Sequence, residues 1–493
     1  MITSTIPDFI LAWPEILVAV VACGLLMAGL ISNKNVFRWS LYCTNAILLA
    51  IPFLLWLQPK AVQQFTFNGF FVSDPFTISV KSLILLSGAL VLIVSRQSLA
   101  RENLNVVEYP VLFLWAILGM MIMVSAHDLL VMFVGVELQS LCLYILVAMR
   151  RHNSHSSEAA LKYFILGALS TGVMLYGCSL VYGFTGTTHF EALGRFFMNS
   201  PHLDEKMFGP FCGIIFIIAA LAFKVSVAPF HMWTPDVYQG SPTPVVAFLA
   251  TAPKVAGIAL LMRILIIPFG GLSSLWYWML LGLAILSMAW GAIAALAQQN
   301  IKRLIAYSSI GHMGFVLIGV TVASESGLMA SLTYLVFYSL MTIGFFGGLL
   351  YIEQKNKQEI QTLSDLNGIG RHYPGIAFLM GFMVFSMAGI PPLPGFIPKI
   401  LILRSAINHN AYLLAVSGVI YSVIACAYYL LIIKALFIDK LSRTATVSLG
   451  HKKIYFPLTL VLFGLIFLLV YLFVHPDVLF QWTREAATSL VYE

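Results

Sequence analysis

Four ionisable residues stand inside runs of this chain that are otherwise apolar enough to cross a membrane. They are Glu137 in LLVMFVGVELQSLCLYILVAM, Lys224 and Lys254 within residues 221–257, and Lys399 in a proline-broken stretch near the C-terminal end. A charge near the bilayer centre costs about 2.5–3.5 kcal/mol even on the insertion scales, so such residues face protein or water and carry protons or ions. Glu137 lies some ten residues from either end of its run, roughly 15 Å from each surface at helical rise. A carboxylate opposed to an ammonium there can be tuned to exchange a proton near neutral pH. A buried lysine can load and release a proton, whereas arginine essentially cannot.

The surroundings of these residues favour polar pockets. Lys224 precedes Pro229 by five residues, and a proline inside a helix removes one backbone hydrogen bond and crowds a carbonyl one turn earlier. Lys254 follows Pro253 near the middle of the next run. Discontinuous helices at mid-membrane are a recurring way to hold ions. The stretch PGIAFLMGFMVFSMAGIPPLPGFIPKILILRSAIN is too long for a single crossing and must break at Gly389, Pro391, Pro392, Pro394, Gly395 and Pro398, with Lys399 opening the second half. His312, in IAYSSIGHMGFVLIG, is a relay candidate because its side chain titrates near neutrality, although a lone helical histidine also serves as a packing residue. Glu158 and Lys162, four apart, read as an auxiliary helix pair, with Lys162 alternatively reaching toward Glu137. Lys81 and Arg263, nearer the ends of their runs, are expected to snorkel. His152 and His155 in RRHNSH belong to a basic loop and are not read as metal ligands.

Composition requires the same setting. The chain has 493 residues, 60% hydrophobic and 10% charged, with a mean hydropathy of +0.93. That excludes a soluble globular domain, in which roughly a quarter of residues are charged. Apolar runs place spans at 9–31, 38–57, 75–95, 109–126, 128–149, 158–185, 210–231, 242–268, 274–297, 301–323, 327–352, 374–408, 411–438 and 454–475. The expected architecture is an all-α polytopic membrane protein with about 14 transmembrane helices, helices 7 and 12 being broken. The first run has no basic residue before it and reads as a spanning helix, not a cleaved signal peptide.

The net charge of +7 is a matter of sidedness, not of nucleic-acid binding. Lys34, Arg38, Arg96, Arg101, Arg150, Arg151, Lys302, Arg303, Lys355, Lys357, Arg371, Lys434, Lys440, Arg443, Lys452 and Lys453 fall in alternate loops or at their edges. The opposite side holds Lys60, Arg195, Lys206, Arg404 and Arg484. The basic side is therefore cytoplasmic, and both termini are expected on the non-cytoplasmic side. No loop is long enough for a redox or nucleotide-binding domain, and no phosphate-binding glycine motif occurs. The six cysteines are scattered singly through apolar runs and read as small core residues.

Spans 7 and 12 are both proline-broken and lysine-bearing, and they lie an odd number of spans apart, which gives them opposite orientations. That is the mark of inverted five-helix repeats. The expected domains are 1–108 (three N-terminal helices), 109–268 (first repeat, spans 4–8), 274–438 (inverted second repeat, spans 9–13) and 439–493 (C-terminal helix and tail).

The motifs GVELQSL, EAALKYFILGALSTGVMLYG, FKVSVAPFHMWTPDVYQGSPTPVVAFLAT, NIKRLIAYSSIGHMG and GIPPLPGF with its following lysine span residues 109–434. On these, the chain resembles the antiporter-like membrane subunits of respiratory complex I, in the subunit N branch of bacterial NADH-quinone oxidoreductase. The resemblance implies a proton-translocating subunit in which Glu137, Lys224, Lys254 and Lys399 carry the family's buried charges, with His312 and water between them. Pro253, Pro394 and Pro398 depart from the family's pattern beside two of those lysines. It also implies a non-redox subunit of an NADH:quinone reductase that binds no cofactor itself, NADH, FMN, iron–sulfur clusters and quinone lying on partner subunits. The implied partners are other membrane-arm subunits, both antiporter-like and small, and indirectly the peripheral redox arm. The implied location is the bacterial inner (plasma) membrane. The competing readings are a subunit of a multisubunit Na+/H+ antiporter and a membrane scaffold whose charges only hold neighbours.

Overall fold

The computed structural model describes residues 8–31, 36–57, 63–102, 104–199, 208–440 and 456–491. Lys34, Lys60, Lys206, Arg443, Lys452 and Lys453, counted in the charge balance, lie outside the described residues.

Three helices open the chain: α1 (Trp13–Ile31), α2 (Val36–Leu57) and α3 (Pro75–Arg101). A small hairpin, β1 (Gln64–Thr66) with β2 (Phe71–Ser73), joins the last two. Asp74 and Thr77 start α3 by a reciprocal capping box, which satisfies backbone donors that a helix start leaves orphaned. There follow α4 (Glu108–Ser125), α5 (Leu129–Val147), α6 (Ser154–Thr185), a short amphipathic α7 (Phe190–Asn199) and α8 (Phe208–Val225). Asp128 and Asn153 cap α5 and α6 through their side chains. The chain continues through α9 (Trp233–Gly240), α10 (Thr243–Leu249), α11 (Ala252–Ile266), α12 (Ser273–Leu296), α13 (Ile301–Val322) and α14 (Glu325–Asn356). It ends with α15 (Ile369–His372), α16 (Pro374–Ala388), α17 (Phe396–Asn408), α18 (Tyr412–Phe437), α19 (Phe456–Val474) and α20 (Pro476–Val491).

Among the described residues, twelve helices are long and apolar enough to cross a membrane, or up to thirteen if the bent pair α19–α20 is one span. The most apolar windows of α14 and of the α10–α11 segment are wholly buried, whereas α1 and α18 bury about a quarter of theirs. α14 and the α10–α11 segment therefore lie in the core, and α1 and α18 form part of the apolar exterior. Close approach is made by small residues, as is usual where no hydrophobic gain separates lipid from protein. At Gly135 a Cβ would lie 2.6 Å from the Met123 nitrogen, so only glycine lets α4 pack directly on the helix that carries Glu137.

The breaks are where the prolines predicted, with one addition. The helix carrying Lys224 ends at Val225 and resumes at Trp233, and the long stretch 374–408 splits into α16 and α17. The eighth run, expected to be one continuous span, is also broken, between Leu249 and Ala252. The reason is Pro253: a proline is favourable in a helix's first turn, where its missing N–H is an orphan anyway, and unfavourable further in. The C-terminal tail, expected to follow the last span, is the helix α20, bent 81° from α19. It buries Leu479, Thr483, Ala486, Ala487 and Leu490, and Ser489 Oγ accepts from the Phe76 nitrogen at 3.2 Å.

Lys81 and Arg263 do not snorkel. Lys81 forms a buried ion pair with Glu15 at 2.7 Å, and Arg263, wholly buried, pairs with wholly buried Asp74 at 2.6 Å. Both acids are remote in sequence, and such a counter-charge offsets the cost of burying a cation that stays charged. The opposite face carries an alternating chain of charges: Glu353–Arg101 (2.8 Å), Arg101–Glu102 (3.1 Å), Glu102–Arg150 (2.8 Å), Arg150–Glu359 (3.1 Å) and Glu359–Lys302 (2.6 Å). These cations hold the loop Glu359 carboxyl below its usual range despite its burial.

In the turn between α4 and α5 the imidazole of His127 is buried, and neither ring nitrogen has a hydrogen-bond partner. Burial, with Arg263 and His189 nearby, lowers its pKa to about 4. The folded pKa thus lies below the unfolded value near 6.5, so the unfolded state binds the extra proton between those values. Stability is full above pH 6.5 and is lost as pH falls toward 4, by about 3 kcal/mol at 1.36 kcal/mol per unit. Thermal unfolding of the His127→Gln variant between pH 7 and 4.5 is expected to lack that portion of the acid sensitivity of the parent. Equal pH dependence in the two would refute the assignment.

Candidate functional site

The helix α8 ends one residue after Lys224 because residues 226–232 leave helical geometry, Ser226 adopting a left-handed φ of 66°. The freed backbone groups are used: Ala228 N donates to Ser287 Oγ of α12 at 2.9 Å, and Trp233 Nε1 donates to Phe223 O at 2.9 Å. Lys224 therefore stands at the carbonyl end of a half-helix, where a cation is favoured. Its ammonium donates to Ser140 Oγ at 2.7 Å and to Tyr144 OH at 3.4 Å, both on α5. Glu137, Ser140 and Tyr144 are spaced three and four apart and so share one face of α5. Glu137 is near enough to act electrostatically on Lys224, yet it makes no ion pair with it; its Oε2 is buried without a hydrogen-bond partner.

Lys254, in the first turn of α11, is buried and bonded to Ser309 Oγ of α13 by a short contact, with its ammonium 5.7 Å from the Tyr238 ring centre. Three further hydroxyls, of Tyr238, Tyr338 and Thr342, cluster with Ser309 in this buried core. His312, one turn from Ser309 on α13, is held from both sides: Nδ1 by Tyr334 OH at 2.7 Å and Nε2 by Tyr429 OH at 2.8 Å. Tyr429 OH continues to Ser308 Oγ at 2.5 Å. Beyond His312 a cavity of about 20 Å³, lined also by Ser308, Tyr428, Tyr429 and Lys399, has room for one water.

Lys399 closes the row. It lies in the first turn of α17 and donates to the Ala388 carbonyl at the end of α16 at 2.7 Å, and to Ser422 Oγ of α18 at 3.0 Å. Gly389, with φ of +78°, turns the chain at this break, and a Cβ there would lie 2.9 Å from the Lys399 ammonium. Pro394 and Pro398 leave the lysine buried and bonded.

The residues singled out in the sequence are therefore grouped unequally. Lys254, His312 and Lys399 fall into one hydroxyl-lined region, and Lys224 sits with Glu137 at its own break. Lys162 does not reach toward Glu137; it pairs with Glu158 at 2.8 Å and with Asp236 at 2.9 Å. Sequence reasoning missed Asp236 and the tyrosines. Asp236 lies in the already conspicuous WTPDVYQG segment, whereas the tyrosines carry no charge to betray them in an apolar run.

Comparison with known proteins agrees with this arrangement. The family described as NADH:quinone oxidoreductase/Mrp antiporter, TM, matches residues 126–425. NADH-quinone oxidoreductase subunit N of Parvibaculum lavamentivorans is 45% identical over 437 residues, 89% of each chain. A chain of respiratory complex I from Thermus thermophilus, solved with bound aureothin, superposes with a TM-score of 0.76 at 30% identity, covering 95% of this chain and 98% of that one. A chain of the Mrp complex from Dietzia sp. DQ12-45-1b superposes at 0.83 with 20% identity over 98% of each, a likeness of fold. With the broken spans, the buried lysines and an extensive match in sequence, the chain belongs to the family of NADH-quinone oxidoreductase subunit N.

Proposed function

We propose that this chain is a proton-translocating membrane-arm subunit of an NADH:quinone oxidoreductase, in which electron transfer on other subunits drives protons along Glu137, Lys224, Lys254, His312 and Lys399. One observation carries the reading. The buried Lys and Arg side chains fall into two kinds: Lys81, Arg263 and Lys302 are each matched by a carboxylate, whereas Lys224, Lys254 and Lys399 are held by hydroxyls and a carbonyl. A structural charge needs its counter-ion; a site that loads and releases a proton must tolerate both states, and neutral hydroxyls solvate either. This argues against the scaffold reading.

In the proposed cycle, a change in coupling alters the Glu137–Lys224 interaction and Lys224 passes its proton to Lys254. His312, its tyrosines and one water carry it on to Lys399, which delivers it toward the exit or to the next subunit. Lys224 at the carbonyl end of α8, and Lys399 bonded to the carbonyl end of α16, are consistent with two inverted five-helix repeats at 109–268 and 274–438, flanked by 1–108 and 439–493. The chain is further read as fourteen spans, with the broken pair α16–α17 counted as one, in the bacterial inner membrane with both termini on the non-cytoplasmic side. Redox centres belong to partner subunits. The Na+/H+ antiporter alternative rests on the shared fold of the Mrp chain. Purification of the tagged chain in mild detergent decides between them. Flavin and iron–sulfur absorbance with NADH:quinone activity is expected; a colourless assembly catalysing sodium-dependent proton exchange would overturn the reading.

A further inference from the structure

On the basic face, where α4 begins and α5 ends, a cavity of about 1120 Å³ opens, with Leu26 of α1 closing one side. Pockets that take a whole small molecule measure roughly 300–1,000 Å³. The walls are sorted by depth. Along α4, Glu108, Leu112 and Trp115 are four and three residues apart and share one face, so the carboxylate stands at the rim and the indole about 10 Å further in. Along α5, Ile145, Ala148 and Met149 lie below a rim of Arg150 and Arg151. Leu26 and Ile145 are 41% and 51% exposed, so the inner part of the groove is open and apolar. A charged rim at the membrane surface above an apolar channel is the polarity of a phospholipid, headgroup outward and acyl chain inward.

The charges at the rim narrow the class of headgroup. Arg150 and Glu102 are committed to each other at 2.8 Å, Arg150 also pairs with Glu359 at 3.1 Å, and Glu102 takes Arg101 at 3.1 Å. That leaves Arg151 and Glu108, which form no ion pair among the described residues. One free charge of each sign suits a headgroup that also carries both. A guanidinium matches a phosphate diester, and a carboxylate accepts hydrogen bonds from a primary ammonium. An anionic headgroup without an ammonium would bring its phosphate to the same rim as an unmatched Glu108. A quaternary ammonium has no N–H to give and is held by aromatic faces, whereas Trp115 lies well below the rim.

We propose that this cavity binds a phospholipid of the phosphatidylethanolamine class. Arg151 holds its phosphate, Glu108 its ammonium, and the groove between α1, α4 and α5 the upper part of one acyl chain. The site is independent of the proton-transfer roles assigned above, and its failure would leave them standing.

The test uses the chain purified with its native partners in mild detergent and placed in phosphatidylcholine vesicles. These contain a trace of phosphatidylethanolamine with a photoactivatable acyl chain. Illumination is expected to label the peptides carrying Trp115 and Met149. Excess unlabelled phosphatidylethanolamine is expected to suppress that label, and the same excess of phosphatidylglycerol is not. Glu108→Gln and Arg151→Gln are each expected to lower labelling about fivefold, the weight of one charge pair at an exposed site. Ala148→Trp fills the apolar part without touching a charge and is expected to abolish the label. Equal suppression by phosphatidylglycerol would overturn the ammonium assignment and make this a site for anionic lipid. Absence of label from both peptides in the parent would overturn the proposal in favour of a protein neighbour covering the groove. Unchanged labelling in all three variants would show unselective bilayer lipid only. Should a variant fail to assemble, competition between the two lipids in the parent decides.

Discussion

Lys224→Ala is expected to abolish translocation through this chain while leaving the complex assembled and its NADH site reducible. The side chain makes two hydrogen bonds, to Ser140 and Tyr144, and no direct ion pair, Glu137 acting on it only at longer range. The hydroxyls left behind can hydrogen-bond to water filling the space. What disappears is a group that accepts and returns a proton at the break of α8, and removing a positioned proton-transfer group slows its step by about 10²–10⁴-fold. Lys224→Arg separates charge from proton exchange. Its guanidinium keeps the positive charge but stays protonated, so it is expected to fail in translocation as well. Normal proton stoichiometry in the alanine variant, measured in vesicles, would remove Lys224 from the mechanism; normal stoichiometry in the arginine variant alone would mean that a fixed charge suffices.

Arg263→Leu is expected to act in the opposite way, on stability and not on chemistry. Arg263 and Asp74 are both wholly buried and 2.6 Å apart, and removal of the guanidinium takes from Asp74 the cation it is paired with between α3 and α11. Breaking a buried pair from one side costs about 3–5 kcal/mol. That is a large part of the stability of an ordinary domain, so the chain is expected to fall sharply in membrane abundance. Adding Asp74→Asn is expected to recover much of the loss, because the amide keeps an oxygen for the Thr77 nitrogen that starts α3 and carries no charge. Quantifying the chain in membranes for the single and double variants checks this. An abundance in Arg263→Leu equal to that of the parent would show that the pair contributes nothing.

The two experiments rest on a distinction drawn by the fold. In the sequence, Lys81, Lys224, Lys254, Arg263 and Lys399 are alike: single cations in apolar runs. The sequence places Lys224 and Lys254 near the middle of their runs because spacing along a helix converts directly into distance from the membrane surface, whereas Lys81 and Arg263, nearer the ends, are expected to snorkel and do not. The breaks at 226–232 and 389–395 were equally legible, since proline and length act locally. So was the likeness to the complex I subunits, carried by contiguous motifs. The break before Ala252 was missed although Pro253 marks it, because the surrounding run is long enough for one helix.

Which cation has a counter-charge could not be read in this way. Glu15 lies 66 positions from Lys81, and Asp74 lies 189 from Arg263, separations that only the packing of α1, α3 and α11 closes. The tyrosines that hold His312 come from α14 and α18, 22 and 117 residues away. Sequence by itself determined the membrane class and the breaks at 226–232 and 389–395, because these follow from composition and local geometry. Tertiary structure alone decided which buried charges are neutralised and which are left among hydroxyls, because that depends on neighbours brought together across the bundle.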